Sequence, residues 1–237
     1  MAYKYEYICI ACLSLFLLLG CDEGKIYPDN TVDSGRTASV TISFSGLRAW
    51  PRKNMLAVAA FGSDSEKPTL VKRLSRPSTE DRVLEVTLNN LEPGTQTIEI
   101  VVLSNGQRLI YSYYSYPVDD SMDAITIDVG SLELGSFDRI QKQVFEENCL
   151  SCHGGSTSGA AGELNLQENV AYKALVNVKA PLSEEGKNYV TPGDLDNSFL
   201  LDVLDEHSYH ADMFNSSGKE EVLGLIEAWI LDGAKDN

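Results

Sequence analysis

The stretch CLSCHGG, residues Cys149–Gly155, decides how the second half of this chain is interpreted. It holds two cysteines two residues apart, a histidine directly after the second cysteine, and then two glycines. Apolar residues precede it at helical spacing, with Ser136 as a candidate N-cap: Phe137, Ile140, Val144 and Phe145. The pattern predicts a helix that begins near residue 137 and leads into a compact group of sulfur and imidazole side chains.

The N-terminus indicates export. The apolar run from Ile8 to Leu19 is shorter than the roughly 20 residues that span a bilayer, but it is typical of a secretory signal peptide. It ends at Gly20-Cys21, which resembles the bacterial lipoprotein signal. That resemblance implies that residues 1–20 are removed, that Cys21 carries lipid and that residues 21–37 form a tether. We therefore expect a lipid anchor in the outer membrane of a Gram-negative bacterium, on its periplasmic or its outer face.

The net charge narrows the choice of partners. The chain carries −16 overall, and residues 136–237 hold 18 acidic against 7 basic side chains. A strongly acidic surface argues against nucleic acid and against anionic lipid headgroups. It suits a protein partner with a basic face.

Residues 39 to 130 alternate apolar and polar positions with a period near two, as strands do. Asn105-Gly106 between two such runs is a strong hairpin signal. Seven short strands are predicted: residues 39–47, 55–62, 69–74, 82–91, 96–106, 108–116 and 124–130. We therefore expect an antiparallel β-sandwich over residues 38–132. Its step LNNLEPGTQTIEIVVL resembles the penultimate hairpin of immunoglobulin-like or transthyretin-like domains, which implies a sandwich of that type.

The period changes to helical spacing at Ser136, so an all-α domain is predicted over residues 136–237. Its last segment, residues 218–234, begins with an acidic turn and reaches a C-terminal stop at Gly233. Two shorter helices are expected at YKALVNV and NSFLLDVLDE. The fold class predicted for the whole chain is multidomain, a β-sandwich followed by helices.

Three kinds of chemistry fit the C-x-x-C-H run at residues 149–153. Of the five cysteines, only the two in this run remain once the signal peptide is removed and Cys21 carries lipid. An oxidising compartment permits a disulfide between them. A thioredoxin-like redox pair needs a βαβ setting, which a helical segment does not offer. A zinc site needs two more ligands, for which His207 and His210 are available at an uncommon spacing. The third chemistry is covalent attachment of a c-type haem, whose signature is C-x-x-C-H.

The sequence around this run resembles the small single-haem cytochrome c domain over residues 136–237. The segments that carry the resemblance occur in the family's order: FDRIQKQVFEENCLSCHGG, GELNLQENVAYKALVN, YVTPGDLDNSFLLDVL and MFNSSGKEEVLGLIEAWILDGA. It implies an all-α cytochrome c-like domain with one covalent haem per chain, held by thioethers from Cys149 and Cys152, with His153 as the proximal iron ligand. It also assigns four residues to the surroundings of the haem: Pro192, Gly193, Ser198 and Trp229.

The resemblance places the distal thioether ligand of the iron at Met213. The family commonly has a proline after this methionine, whereas the sequence here is His210-Ala211-Asp212-Met213-Phe214. His210 is therefore the alternative distal ligand, with His207 or an open position behind it. A His–Met pair raises the reduction potential relative to two histidines.

We expect a membrane-anchored single-haem c-type electron carrier, not an enzyme, that transfers single electrons in the periplasm or at the cell surface to and from proteins with a basic face. The alternative is a surface lipoprotein whose β-sandwich binds a glycan or a protein partner, with the haem domain accessory. Only the tyrosine-rich run at residues 111–116 supports that alternative. A small haem peroxidase is a third option, and it needs an open or labile distal position.

Overall fold

Seven β-strands fill the first half of the part of the chain that the computed structural model describes, residues 35–155, 161–206, 210, 212–214 and 216–237. Every predicted run is a strand, within a few residues of its expected bounds. Their bounds are β1 Thr37–Ser45, β2 Met55–Phe61, β3 Leu70–Arg73, β4 Leu84–Leu88, β5 Thr97–Leu103, β6 Leu109–Pro117 and β7 Ala124–Glu133. The predicted signal peptide, Cys21 and His207 lie outside the described residues.

The strands form a three-stranded sheet in the order β4-β1-β7 and a four-stranded sheet in the order β3-β2-β5-β6. All neighbouring strands are antiparallel except β1 and β7, which run parallel with Thr37 opposite Ala124. The expectation of a purely antiparallel sandwich is wrong at this pair. This pair joins the first and the last of the seven strands. It therefore depends on contacts between residues that are far apart in the sequence.

Both sheets direct alternating apolar side chains into one hydrophobic cluster. In β1 these residues are Ala38, Val40, Ile42 and Phe44, and the four-stranded sheet adds Leu56, Val58, Ile98 and Ile100. Strand β2 is buried on both faces because a second cluster covers its other side, formed with Phe61, Val101 and Leu103. The period of two in the sequence therefore corresponds to side chains that alternate between the two faces of each strand.

The helical region follows at residue 136. Its helices are α1 Phe137–Ile140, a π-helix Gln141–Cys149, α2 Leu150–His153, α3 Ala171–Leu175, α4 Phe199–Asp205 and α5 Ser216–Leu231, with 3-10 turns at Leu47–Ala49 and Ala161–Glu163. Ser136 is the N-cap of α1, since its Oγ accepts a hydrogen bond from the backbone nitrogen of Arg139 at 3.2 Å. Gly233 follows α5 with φ +91°, as a C-terminal stop requires. None of the described helices is both long and apolar enough to cross a membrane.

Sheets and helices share their core, and residues 35–237 form one unit. Trp229 of α5 is fully buried against Phe137, with ring centroids 5.2 Å apart. Gly135 and Gly224 permit the close approach: a Cβ at Gly224 would lie 2.5 Å from the carbonyl oxygen of Arg48. This tight junction holds α5 against the sheet region.

Candidate functional site

The π-helix Gln141–Cys149 forms one wall of the candidate site. Its last backbone hydrogen bond runs from the nitrogen of Leu150 to the carbonyl oxygen of Phe145. A π-helix of this length is unusual, since most are single turns and many lie at functional sites. Apolar spacing of three and four residues is common to α- and π-helices, which is why the sequence did not reveal it.

An apolar cleft of about 130 Å³ lies beside this wall. The polar groups in its lining are one thiol, two imidazoles and one phenol, and the remainder is hydrocarbon. The lining residues are Val144, Phe145, Cys149, His153, Ala161, Leu164, Leu166, Leu182, Tyr189, Phe199, Leu200, Val203, Leu204 and His210. The structure thus brings His210 to His153 and Cys149 across a long sequence interval.

A backbone carbonyl orients the imidazole of His153. Its Nδ1 lies 3.1 Å from the carbonyl oxygen of Leu164, so a protonated Nδ1 donates there and leaves a lone pair on Nε2. The backbone nitrogen of Leu166 in turn donates to the carbonyl oxygen of His153 at 2.8 Å. Metal-ligating histidines characteristically donate their second ring nitrogen in this way. Sequence reasoning missed Leu164, because no side-chain pattern marks a carbonyl oxygen.

His210 faces His153. Their ring centroids are 6.2 Å apart and their planes are inclined by 33°. Two metal–nitrogen bonds of about 2 Å, with about 1 Å from each nitrogen to its ring centroid, give a separation of roughly 6 Å. Met213, the expected distal ligand, is 39% exposed and is not part of the cleft lining. Of the two candidates for the distal ligand, His210 lines the cleft and Met213 does not.

The two thiols differ in burial. Cys149 is partly buried in the cleft, Cys152 is exposed, and neither forms a disulfide. Burial raises the pKa of Cys149 to about 11, with a further contribution from Cys152. A redox-active cysteine needs a lowered pKa and an accessible thiolate. The structure therefore disfavours the redox-pair interpretation.

The four residues expected around a haem do not line the cleft. Gly193 donates its backbone nitrogen to the carbonyl oxygen of Ile230 at 2.7 Å, and buried Ser198 donates its Oγ to the carbonyl oxygen of Asp194 at 2.6 Å. Trp229 donates its indole nitrogen to the carbonyl oxygen of Lys235 at 2.7 Å, and Pro192 belongs to the same turn as Gly193. The hydrogen bond of Gly193 holds this turn against α5. Instead α4 contributes four of the lining residues, which was not foreseen: Phe199, Leu200, Val203 and Leu204.

The tyrosine run on β6 is engaged at the junction between sheets and helices. Tyr111 donates its hydroxyl to Asp138 Oδ2 at 2.7 Å, and Tyr113 donates to the carbonyl oxygen of Leu134 at 2.9 Å. Burial raises the pKa of Tyr113 to about 12. Two tyrosines of this run thus form hydrogen bonds within the protein itself.

No family model, no curated protein and no solved structure matches this chain. In the part of the chain that the structure describes, no group of three or more His, Cys, Asp and Glu side chains is placed to hold a metal ion. The expected membership in the single-haem cytochrome c family, behind an immunoglobulin-like or transthyretin-like sandwich, is therefore wrong. The physical reason is that its motifs are short, and several have ordinary structural roles here, as at Gly193 and Ser198.

Proposed function

We propose that the cleft at His153 binds one haem covalently and that the protein transfers single electrons from a lipid-anchored position. One observation carries the proposal. The ring centroids of His153 and His210 lie 6.2 Å apart in an apolar cleft that Cys149 also lines. The support comes from the geometry of the described residues and needs no family relationship.

The donor set fits this group. A porphyrin supplies four nitrogens to its iron, so the chain would need to provide only two further ligands, which His153 and His210 would be. The thiols of Cys149 and Cys152 can each add across a vinyl group, with sulfur bonding to one carbon and hydrogen to the other, so no oxidant is required.

The cleft must widen before it can hold a haem. Its 130 Å³ is small beside the roughly 300 to 1,000 Å³ of most ligand pockets. Two residues on its border, Ala161 and Leu182, are exposed, so separation there breaks few packing contacts. We therefore expect the cleft to open at this border when the cofactor is attached.

A bound haem supplies one-electron chemistry between its ferric and ferrous forms. His153, oriented by Leu164, and His210 would hold the iron, and two imidazole ligands would give it a lower reduction potential than an imidazole with a thioether. The apolar lining excludes water from the reaction centre. Eighteen acidic residues within 136–237 suit electron exchange with a protein that has a basic face.

The absorption spectrum of the full chain, exported in a host that attaches haem outside the cytoplasmic membrane, tests the proposal. We expect a reduced-state α-band and haem that stays with the polypeptide after denaturation. Cys149→Ser combined with Cys152→Ser should abolish retained haem, whereas Ser151→Ala, between the two, should keep it. Colourless wild-type protein would overturn the proposal.

The axial ligand is tested separately. His210→Ala should change the spectrum of the oxidised protein and open the iron to added imidazole, which should restore the original spectrum. Met213→Ala should leave the spectrum unchanged. Loss of a near-infrared thioether band in the Met213 variant would instead assign the ligand to Met213.

A further inference from the structure

Gln141, the first residue of the π-helix, is a buried polar side chain whose hydrogen bond reaches the lining of the cleft. It is 2% exposed, and its Nε2 donates to the carbonyl oxygen of Leu166 at 3.1 Å. Among the described residues, none forms a hydrogen bond with its Oε1. The cost of burying that oxygen without a donor offsets the gain from the one hydrogen bond. The free energy of folding therefore does not explain why an amide occupies this position.

The amide holds a short segment, residues 164–166, that also makes the contacts to His153. The carbonyl oxygen of Leu164 lies 3.1 Å from His153 Nδ1, and the backbone nitrogen of Leu166 donates to the carbonyl oxygen of His153 at 2.8 Å. Both leucine side chains are buried and line the cleft. The segment's other hydrogen bonds to described residues stay within residues 161–167. The amide therefore supplies the hydrogen bond that joins this segment to the π-helix.

The contact at Leu164 decides which nitrogen of His153 keeps its lone pair. A neutral imidazole carries one proton, so a ring that donates from Nδ1 has its lone pair on Nε2. We propose that Gln141 is a positioning residue for His153. It holds the carbonyl group of Leu164 where that group accepts the Nδ1 proton, and this keeps Nε2 available to a metal. The inference rests on the proposed function, in which Nε2 would bind the haem iron.

The tautomer of His153 tests this in the haem-free Cys149→Ser, Cys152→Ser full chain, where no iron would bind Nε2. Nitrogen NMR separates the two neutral forms of an imidazole, and the chain has three histidines to assign. We expect the form protonated at Nδ1 to predominate. If the form protonated at Nε2 predominates instead, the proposal is overturned without the need for any further variant.

Gln141→Met keeps a similar side-chain volume but has no donor, so the carbonyl group of Leu166 loses its partner. The ratio of the Nδ1-protonated to the Nε2-protonated form of His153 should fall by roughly three- to tenfold, as expected when a hydrogen bond of ordinary strength is weakened. The same NMR measurement gives the ratio. An unchanged ratio contradicts the proposal.

Gln143→Met is the matched control. Gln143 lies on the side of the π-helix that faces a larger cavity of about 550 Å³, and its Oε1 accepts from Arg139 Nε at 2.6 Å. The substitution removes a polar contact of the same helix but none that reaches His153, so the tautomer ratio should stay the same. An equal fall in both glutamine variants contradicts the proposal. Other polar residues that line the larger cavity are Lys53, Asn54, Asn105, Glu147 and Glu221.

The reduction potential of the haem-loaded protein is a second readout. A histidine that donates its second ring nitrogen to a carbonyl group is a more basic metal ligand, and a more basic ligand favours the ferric form. Gln141→Met should therefore raise the reduction potential, whereas Gln143→Met should leave it unchanged. An unchanged or lowered potential in the Gln141 variant contradicts the role of Gln141.

The haem proposal and the positioning proposal fail in different ways. Colourless wild-type protein overturns the haem proposal. An unchanged tautomer ratio in the haem-free Gln141 variant overturns the positioning proposal, whatever the colour of the wild-type protein.

Discussion

The two cavities that flank the π-helix Gln141–Cys149 have opposite chemistry. The cleft is hydrocarbon except for a thiol, two imidazoles and a phenol, whereas the larger cavity has amides and balanced charges. One helical segment serves both: Phe145 and Cys149 face the cleft, and Gln143 and Glu147 line the cavity. The difference shows that a single helical segment can present an apolar surface on one side and a polar surface on the other.

The two sides are also stabilised differently. The polar side depends on Arg139, whose guanidinium joins the end of the sheet region, at Leu134 and Ala49, to the π-helix at Gln143. The apolar side depends mainly on packing, with Phe145 and Leu204 both buried, and on a few hydrogen bonds to the backbone such as that between His153 and Leu164. Loss of one polar group should therefore cost more than loss of one apolar group.

The largest effect is expected from Arg139→Met. The substitution removes the donors to Gln143, Ala49 and Tyr113 and leaves Glu221 without its cation. Removing one partner from a buried network of this kind lowers the free energy of unfolding by about 3 to 5 kcal/mol. Urea denaturation measures the change.

Arg48→Met is the matched control. Arg48 pairs with Glu227 at 2.7 Å, but its side chain is 59% exposed. The free energy of unfolding should change by no more than about 1 kcal/mol. Equal losses in the two variants would show that burial of Arg139 is not the source of its effect.

Tyr113 makes the polar side sensitive to alkaline pH. Burial raises its pKa from 10.0 to about 12, so between these values the unfolded chain loses the phenolic proton before the folded chain does. The contribution of Tyr113 to the free energy of unfolding is fully present below pH 10. It is lost as the pH rises to about 12, a fall of about 3 kcal/mol in all.

The slope of stability against pH tests this. Tyr113→Phe should flatten the fall in unfolding free energy between about pH 10 and about pH 12. The slope is the readout, because the substitution also removes the hydrogen bond to Leu134 and thereby lowers stability at neutral pH. Identical slopes in the two proteins would contradict the assignment to Tyr113.

The strands of this fold could be predicted from local sequence, whereas their pairing could not. Each strand is an alternating run between turn residues, and the turn at Asn105-Gly106 leads into a hairpin as expected. The parallel pair β1–β7 depends on contacts between the two ends of the sheet region. The π-helix differs from an α-helix by its backbone pairing, which the apolar spacing does not encode.

The candidate site was visible only in part for the same reason. C-x-x-C-H is a local signal, so residues 149–153 were identified from the text alone. The approach of His210 to His153 depends on the fold, and no local sequence pattern reveals it. A buried Arg139 was not foreseen, because charged residues are rarely fully buried unless they are paired.

Val144→Ala probes the wall that the two cavities share. Val144 is 1% exposed and lines both. Removing its two methyl groups should lower the free energy of unfolding by about 2 kcal/mol, because the cavity left behind adds to the loss of burial. Urea denaturation measures it, and Val170→Ala, at a residue 40% exposed, should cost less. A cost equal to that control would mean that the wall is not tightly packed.

The smallest effect on stability is expected at Leu182, which lies on the apolar side only. Leu182 is 73% exposed at the border of the cleft, so Leu182→Ser should change the stability of the haem-free Cys149→Ser, Cys152→Ser protein by less than about 0.5 kcal/mol. In the haem-loaded protein the loss should be larger, because the cofactor would cover this side chain. Val83→Ser, at a residue 59% exposed outside the cleft lining, should have the same small effect in both. Equal effects of Leu182→Ser in the two states would mean that the cofactor does not reach this border, and that the cleft opens elsewhere.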